Sequence, residues 1–244
     1  MFDPKETKEQ IIHWIKDYFD HNATPETKAV IGISGGKDSS IAAALCKEAL
    51  GKDRVLGVLM PDGIQFDIAV AYDICKTLGI PFIEINIKDS REALYKEIEK
   101  SGLKMNANAA SNTPARFRMT TLYAVSAITG GRVVNTSNLS EDWVGYSTKY
   151  GDMAGDFSPL SDLTVTEVKA VGRELGLDSR FVDKTPIDGL SGKTDEDNLG
   201  FTYDVLDRYI RENVCEDENI REMIEKRHKL NLHKLDPMPT FRMD

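Results

Sequence analysis

The stretch Val30-Ile31-Gly32-Ile33-Ser34-Gly35-Gly36-Lys37-Asp38-Ser39-Ser40 decides the fold. Val30, Ile31 and Ile33 are strand formers. Gly35 and Gly36 permit positive φ and a close approach of backbone to a ligand. Asp38 and Ser39 suit a helix N-terminus, and Ile41-Ala42-Ala43-Ala44-Leu45 continues as helix. Such an order leaves N–H groups and the helix dipole facing the turn, where they favour an anion. The spacing excludes two common nucleotide loops. A Walker loop needs a leading glycine, four residues, then Gly-Lys and Ser or Thr. Here Ile31 stands at the leading place and Asp38 follows Lys37. A dinucleotide fingerprint needs three glycines at Rossmann spacing, and the stretch lacks them.

Outward from this stretch, strand and helix alternate. Ile11, Ile12, Trp14, Ile15, Tyr18 and Phe19 fall at helical spacing within an amphipathic helix at 6–20. The pattern then predicts strand at 28–34, helix at 38–50, strand from Arg54 to Met60 and helix at 67–78. Strand from Phe82 to Ile87, helix at 89–100, helix from Thr113 to Ile128 and strand from Arg132 to Asn135 follow. This is an α/β pattern. It predicts a doubly wound, Rossmann-like, mostly parallel sheet with helices on both faces. Ligands in such sheets bind at the carboxyl ends of the strands. Ser34 to Ser39, Pro61 to Gln65 and Thr136 to Glu141 all follow strands and are expected to line one edge. Beyond, 144–162 reads as a long ordered loop and Thr164 to Leu175 as helix. The polar, Gly-rich run at 186–200 reads as a mobile lid. Helices at 202–212 and 216–230 close the chain. With no repeat and no linker, residues 1–244 read as one domain.

The 244 residues are enough to bury a full core. A net charge of −9 argues against a general nucleic-acid surface, which needs a basic face. It leaves room for a nucleotide held by N–H groups, a metal and a few cations. Cys46, Cys75 and Cys215 are an odd set, far apart, and no signal peptide precedes them. They read as reduced thiols of a cytoplasmic protein. No apolar run reaches the length of a membrane span.

The form Ser-Gly-Gly-x-Asp-Ser after an apolar strand resembles the pyrophosphatase loop of the N-type ATP pyrophosphatases. Over most of its length the chain resembles an ammonia-dependent NAD synthetase. Beyond the loop from Gly32 to Ser39, the resemblance rests on Pro61-Asp62-Gly63-Ile64-Gln65, Ala115-Arg116-Phe117-Arg118-Met119 and Thr136-Ser137-Asn138 with Glu141. It rests further on Gly145-Tyr146-Ser147-Thr148-Lys149-Tyr150-Gly151-Asp152, Asp156, Pro159-Leu160, Asp195-Glu196, Leu199-Gly200 and His233-Lys234.

The resemblance implies a ligase forming a C–N bond: deamido-NAD, ATP and ammonia give NAD, AMP and pyrophosphate through an adenylylated intermediate. It implies that Gly32, Ile33, Ser34, Gly35, Gly36, Lys37, Asp38, Ser39 and Thr136 bind ATP, with Val165 and Ile187 at two further ATP positions. Asp38 and Glu141 are hard oxygen ligands suited to Mg²⁺ on the phosphates. Arg116, Lys149, Asp156, His233 and Lys234 fall on deamido-NAD. Asp152 is a candidate for holding ammonium or taking its proton. A homodimer with the dinucleotide at the subunit interface is implied as well. The chain has no room for a glutaminase domain by domain-size priors, so free ammonia or a separate donor protein is expected.

The chain departs from the family in places. Val165 stands where many members have a lysine, Ile187 where many have a hydroxyl, and Asn198 where some have an acid. Lys169, Lys184 and Lys193 are candidates to supply the missing cation. Two other readings stay open: a tRNA-modifying ATP pyrophosphatase, and a non-catalytic ATP sensor. The acidic charge counts against the first, and intact Asp38 and Glu141 count against the second.

Overall fold

The structure is a computed structural model that describes residues 2–184 and 194–243. Helix α1 (Pro4–Asn22) is capped by Asp3, whose carboxylate accepts from the Lys5 and Glu6 N–H groups. Strand β1 (Ala29–Gly32) leads into α2 (Lys37–Leu50). After a 3-10 turn at Lys52–Arg54, β2 (Val55–Leu59) leads to α3 (Ile68–Leu78). Strand β3 (Phe82–Glu84) precedes α4 (Lys88–Lys100) and α5 (Ala107–Thr129). Strand β4 (Arg132–Val133) precedes the short α6 (Leu139–Trp143). The remainder is helical: α7 (Val165–Glu174), α8 (Ser179–Val182), α9 (Asp195–Leu199), α10 (Tyr203–Glu212) and α11 (Glu218–Leu235).

The strands form a parallel sheet in the order β3-β2-β1-β4. Ala29 sits opposite Val55 on one side and Arg132 on the other. The chain steps outward from β1 to β3, then returns to lay β4 on the far side of β1. The direction therefore reverses between β1 and β4, and that is where a doubly wound sheet opens a crevice.

Both faces are covered, as the alternation predicts. Ala29, Ile31 and Ile33 share a buried cluster with Ile15 and Phe19 of α1, Ile41 and Leu45 of α2, and Val168 and Val171 of α7. Val30, Leu56, Val58 and Val133 pack against Met119, Leu122 and Val125 of α5 on the other face. A third cluster stands off the sheet, joining Val144, Val165, Leu199, Phe201, Tyr203, Leu206 and Ile224. Among the described residues, no helix is long and apolar enough to cross a membrane.

Several boundaries differ from expectation, each for a physical reason. Strand β4 stops at Val133, and the loop at 155–158 completes its edge: Val134 bridges Phe157, and the Asp156 carboxylate accepts the Val133 N–H at 2.7 Å. Helix α5 starts at Ala107 rather than Thr113 because Asn106 caps it, accepting from the Ala109 N–H at 2.9 Å. Pro114 then lies inside the helix and offers no N–H to the Ala110 carbonyl. The Tyr95 hydroxyl approaches that carbonyl at 3.5 Å. Helix α11 runs on to Leu235, so His233 and Lys234 sit in its last turn, where cations suit the dipole.

Candidate active site

The glycine loop and the segment after β4 meet at the reversal point. Gly36 precedes α2, and no described side chain caps that N-terminus. Its first-turn N–H groups are left facing the loop. The Ser34 and Ser39 hydroxyls lie 3.1 Å apart, and the Gly36 N–H donates to Ser34 Oγ at 3.2 Å. Ser40 Oγ donates back to the Gly36 carbonyl at 2.7 Å. Gly35 has φ of +78°, and a Cβ there would stand 2.9 Å from the Ala71 nitrogen. Only glycine fits a turn pressed this closely onto α3.

Lys37 is the first residue of α2, yet its side chain turns inward and is 2% exposed. Its ammonium donates to Asp38 Oδ2 at 2.9 Å and to Glu141 Oε1 at 3.3 Å. Asn138 ties the two segments together. It donates to Asp38 Oδ1 at 3.0 Å and accepts the Glu141 N–H at 3.1 Å, capping α6. The electrostatics follow from this crowding. Burial pulls the Lys37 pKa down, but Asp38 and Glu141 outweigh it, and the net shift is upward. Burial pushes the Glu141 carboxyl up, with the Lys37 ammonium pulling the other way. Asp195 is raised by burial against the pull of Lys37, and burial with the nearby acids raises the Tyr203 hydroxyl.

Two carboxylate oxygens converging on one cation make a fitting donor set for Mg²⁺. That ion takes one or two protein carboxylates and completes its shell with phosphate and water. Among the described residues no group of three or more His, Cys, Asp or Glu side chains is gathered for a metal. The pair therefore suits an ion arriving with phosphates rather than an all-protein cage.

The expected dinucleotide residues fall into two places. Arg116 donates to the Lys149 carbonyl at 3.2 Å, and Lys149 Nζ donates to the His233 carbonyl. Lys234 Nζ donates to the Gly145 and Ser147 carbonyls at 2.7 and 2.9 Å. Arg116, Lys149, His233 and Lys234 thus gather around the loop at 145–149. Asp156 lies apart, on the edge of β4, where it also accepts from the Tyr123 hydroxyl at 3.3 Å. Asp152 Oδ1 accepts the Thr148 N–H at 2.8 Å. Its carbonyl accepts from Asn135 and Ser137, which flank the half-buried Thr136.

The Val165 side chain is 2% exposed and buried in the third apolar cluster, and its N–H donates to Ser140 Oγ at 2.9 Å. Ile187 and Lys193 lie outside the described residues, as does most of the expected lid. Its far end, 194–200, is anchored. A capping box closes α9, Leu199 is buried, and Arg227 donates to the Asn198 and Leu199 carbonyls. Lys184 pairs with Asp67 at 2.5 Å, at the start of the helix that backs Gly35.

Asn138 and Arg118 stood in the sequence reading only as parts of family motifs, with no role assigned to either. Asn138 had a signal, since Asn three residues before Glu marks a helix start. The role of Arg118 depends on the fold: its Nε donates to the Met60 carbonyl at 3.0 Å, beyond the end of β2. Burial lowers its pKa while Asp62 and Asp152 pull it back up.

The profile of the NAD synthase family matches residues 7–239. The NH(3)-dependent NAD(+) synthetase of Finegoldia magna is 37% identical, over 97% of this chain and 95% of that protein. That of Pyrococcus furiosus is 36% identical over 93% and 91%. Among solved structures, NMN synthetase from Francisella tularensis superposes with a TM-score of 0.90 at 30% identity, covering all of both chains. NH3-dependent NAD synthetase from Campylobacter jejuni superposes at 0.80 with 29% identity, again over all of both chains. With a glycine loop, a facing carboxylate pair and this reversal point on one sheet, the chain belongs to the NAD synthase family.

Proposed function

We propose that this chain converts deamido-NAD, ATP and ammonia to NAD, AMP and pyrophosphate at the reversal point between β1 and β4. The observation that carries this reading is the Asp38–Glu141 pair beside the uncapped start of α2. A carboxylate is a poor acyl donor. Attack of the substrate carboxylate oxygen on the α-phosphorus breaks the α–β bond and releases pyrophosphate. Ammonia then adds to the acyl carbon, the bond to AMP breaks, and a proton leaves. No enzyme nucleophile is needed, so catalysis rests on positioning and charge.

The loop from Gly32 to Ser39 offers its N–H groups to the phosphates, with Thr136 at the adjacent strand end. Asp38 and Glu141 would hold Mg²⁺, which neutralises phosphate charge when bound. Arg116, Lys149, His233 and Lys234 surround the dinucleotide side. Lys234 is held by two carbonyls and so shapes the loop at 145–149. Asp152 is the proposed ammonium site. A homodimer would complete the dinucleotide side. Tyr123 and Ile128 of α5, 39% and 84% exposed, support it as large apolar side chains left uncovered.

A second reading is favoured by one observation, the full-length superposition on an NMN synthetase. The same chemistry would then act on the mononucleotide carboxylate. One assay separates the two. Purified protein with Mg-ATP and ammonium receives either deamido-NAD or its mononucleotide counterpart, with glutamine replacing ammonium in control arms. The proposal expects NAD and AMP in equal amounts from the dinucleotide with ammonium, and little with glutamine. Preferred turnover of the mononucleotide would establish the second reading. AMP without either amide would contradict both.

A further inference from the structure

We infer that Lys37 is a resident counter-ion that holds the metal position in the nucleotide-free site, so that the divalent ion enters only together with ATP. The inference rests on the proposed metal role of Asp38 and Glu141. Lys37 Nζ lies between Asp38 Oδ2 at 2.9 Å and Glu141 Oε1 at 3.3 Å, and its side chain is 2% exposed. An ion coordinated at about 2.0–2.1 Å by both oxygens would occupy the space this ammonium fills. One ammonium and one divalent ion cannot share that space, because like charges this close in a buried site repel strongly.

The surroundings show why an ammonium is held there. Asp38, Glu141 and Asp195 all act on Lys37 or on one another, and the Tyr203 ring lies 5.8 Å from its nitrogen. The Asp38 and Glu141 side chains are 18% and 19% exposed, and partly buried carboxylates without a cation carry a desolvation cost. The lysine supplies that cation while the phosphates are absent. It also stands at the first turn of α2, so a polyanion bound at that N-terminus draws the ammonium toward itself. The exchange is therefore coupled: phosphates take the ammonium, and the carboxylate pair takes the metal. Free Mg²⁺ meets a filled site, whereas Mg-ATP brings both the ion and the charge that vacates it.

The test uses the full chain and Mn²⁺ as the probe, with binding read by electron paramagnetic resonance in the absence of nucleotide. Lys37→Met removes the ammonium and keeps much of the side-chain volume. It is expected to bind Mn²⁺ at least about tenfold more tightly than wild type, because a competing cation is gone. The gain is expected to vanish in Lys37→Met/Glu141→Gln. Equal affinity in wild type and Lys37→Met would overturn the inference. A measurement on unaltered protein stands beside it. The side-chain ammonium resonance of Lys37 should persist under Mg²⁺ alone. It should move when Mg²⁺ and an ATP analogue with a methylene group between the α and β phosphates are added together. Movement under Mg²⁺ alone would also overturn the inference. If neither protein binds Mn²⁺ even with the analogue, the metal role of the carboxylate pair fails, and the inference falls with it.

Discussion

Gly145 shows how tightly single residues are set around the site. Its φ is +65°, and a Cβ there would stand 2.0 Å from the side chain of Asn231. Asn231 in turn donates to the Val144 carbonyl at 3.3 Å. Gly145→Ala therefore faces both a strained backbone and a clash, and a loss of about 2 kcal/mol in denaturant unfolding is expected. A change below about 0.5 kcal/mol would mean that the loop and α11 are looser than described. The cysteines make an independent prediction. Burial pushes the Cys46 thiol up to about 12 and the Cys75 thiol up to about 11, and both side chains are fully buried. Both stay protonated at pH 8, whereas Cys215 is only half-buried. A thiol reagent at pH 8 should label Cys215 promptly in native protein, and all three cysteines only after denaturation. Prompt labelling of Cys46 would contradict the packing of α2 against the sheet.

At the scale of elements, Asp207 of α10 holds the helices that carry the site. It is 5% exposed. Its oxygens accept from Ser140 Oγ of α6 at 2.5 Å, and from the Thr166 N–H and Oγ1 of α7 at 2.8 Å each. Beside it, Arg211 donates to both oxygens of Glu167, at 2.9 and 2.6 Å. Asp207→Ala removes the acceptor of three donors, of which the Ser140 hydroxyl is fully buried, and a cost of about 2–4 kcal/mol is expected from chemical denaturation. The same change frees α6, which carries Glu141, so a parallel fall in AMP formation is expected. An unaltered unfolding midpoint would show that the network contributes nothing. Elements such as these mark the boundary of what sequence conveys. Helix α2 was legible because strand, glycine turn and alanine run are local signals. So was α7, whose capping box from Thr164 to Glu167 spans four residues. The early start of α5 was not, because Pro114 masks it and the contact at the freed carbonyl comes from another helix.

At the scale of the whole molecule, one topological step makes the site. Crossing from β3 to β4 on the far side of β1 sets Asp38 against Glu141, though they are far apart in the chain. The sequence placed both segments after strands and so at one edge. It left the strand order open, since alternation names parallel neighbours without ranking them. The phosphate loop was legible for the same local reasons as α2. The inward turn of Lys37 and the bond from Asn138 to Asp38 were not, because each depends on the partner segment. Asp156 was expected on the same dinucleotide as Lys149, and the fold sets it on the edge of β4, apart from the loop at 145–149. In the proposed reaction this edge transfers AMP to a substrate carboxylate before ammonia displaces it. The most direct measurement places ¹⁸O in the carboxylate of deamido-NAD and follows it by mass spectrometry after turnover with Mg-ATP and ammonium. NAD and AMP are expected in equal amounts, with one labelled oxygen carried into AMP. AMP free of label, with the oxygen appearing in water or pyrophosphate, would contradict the proposed reaction.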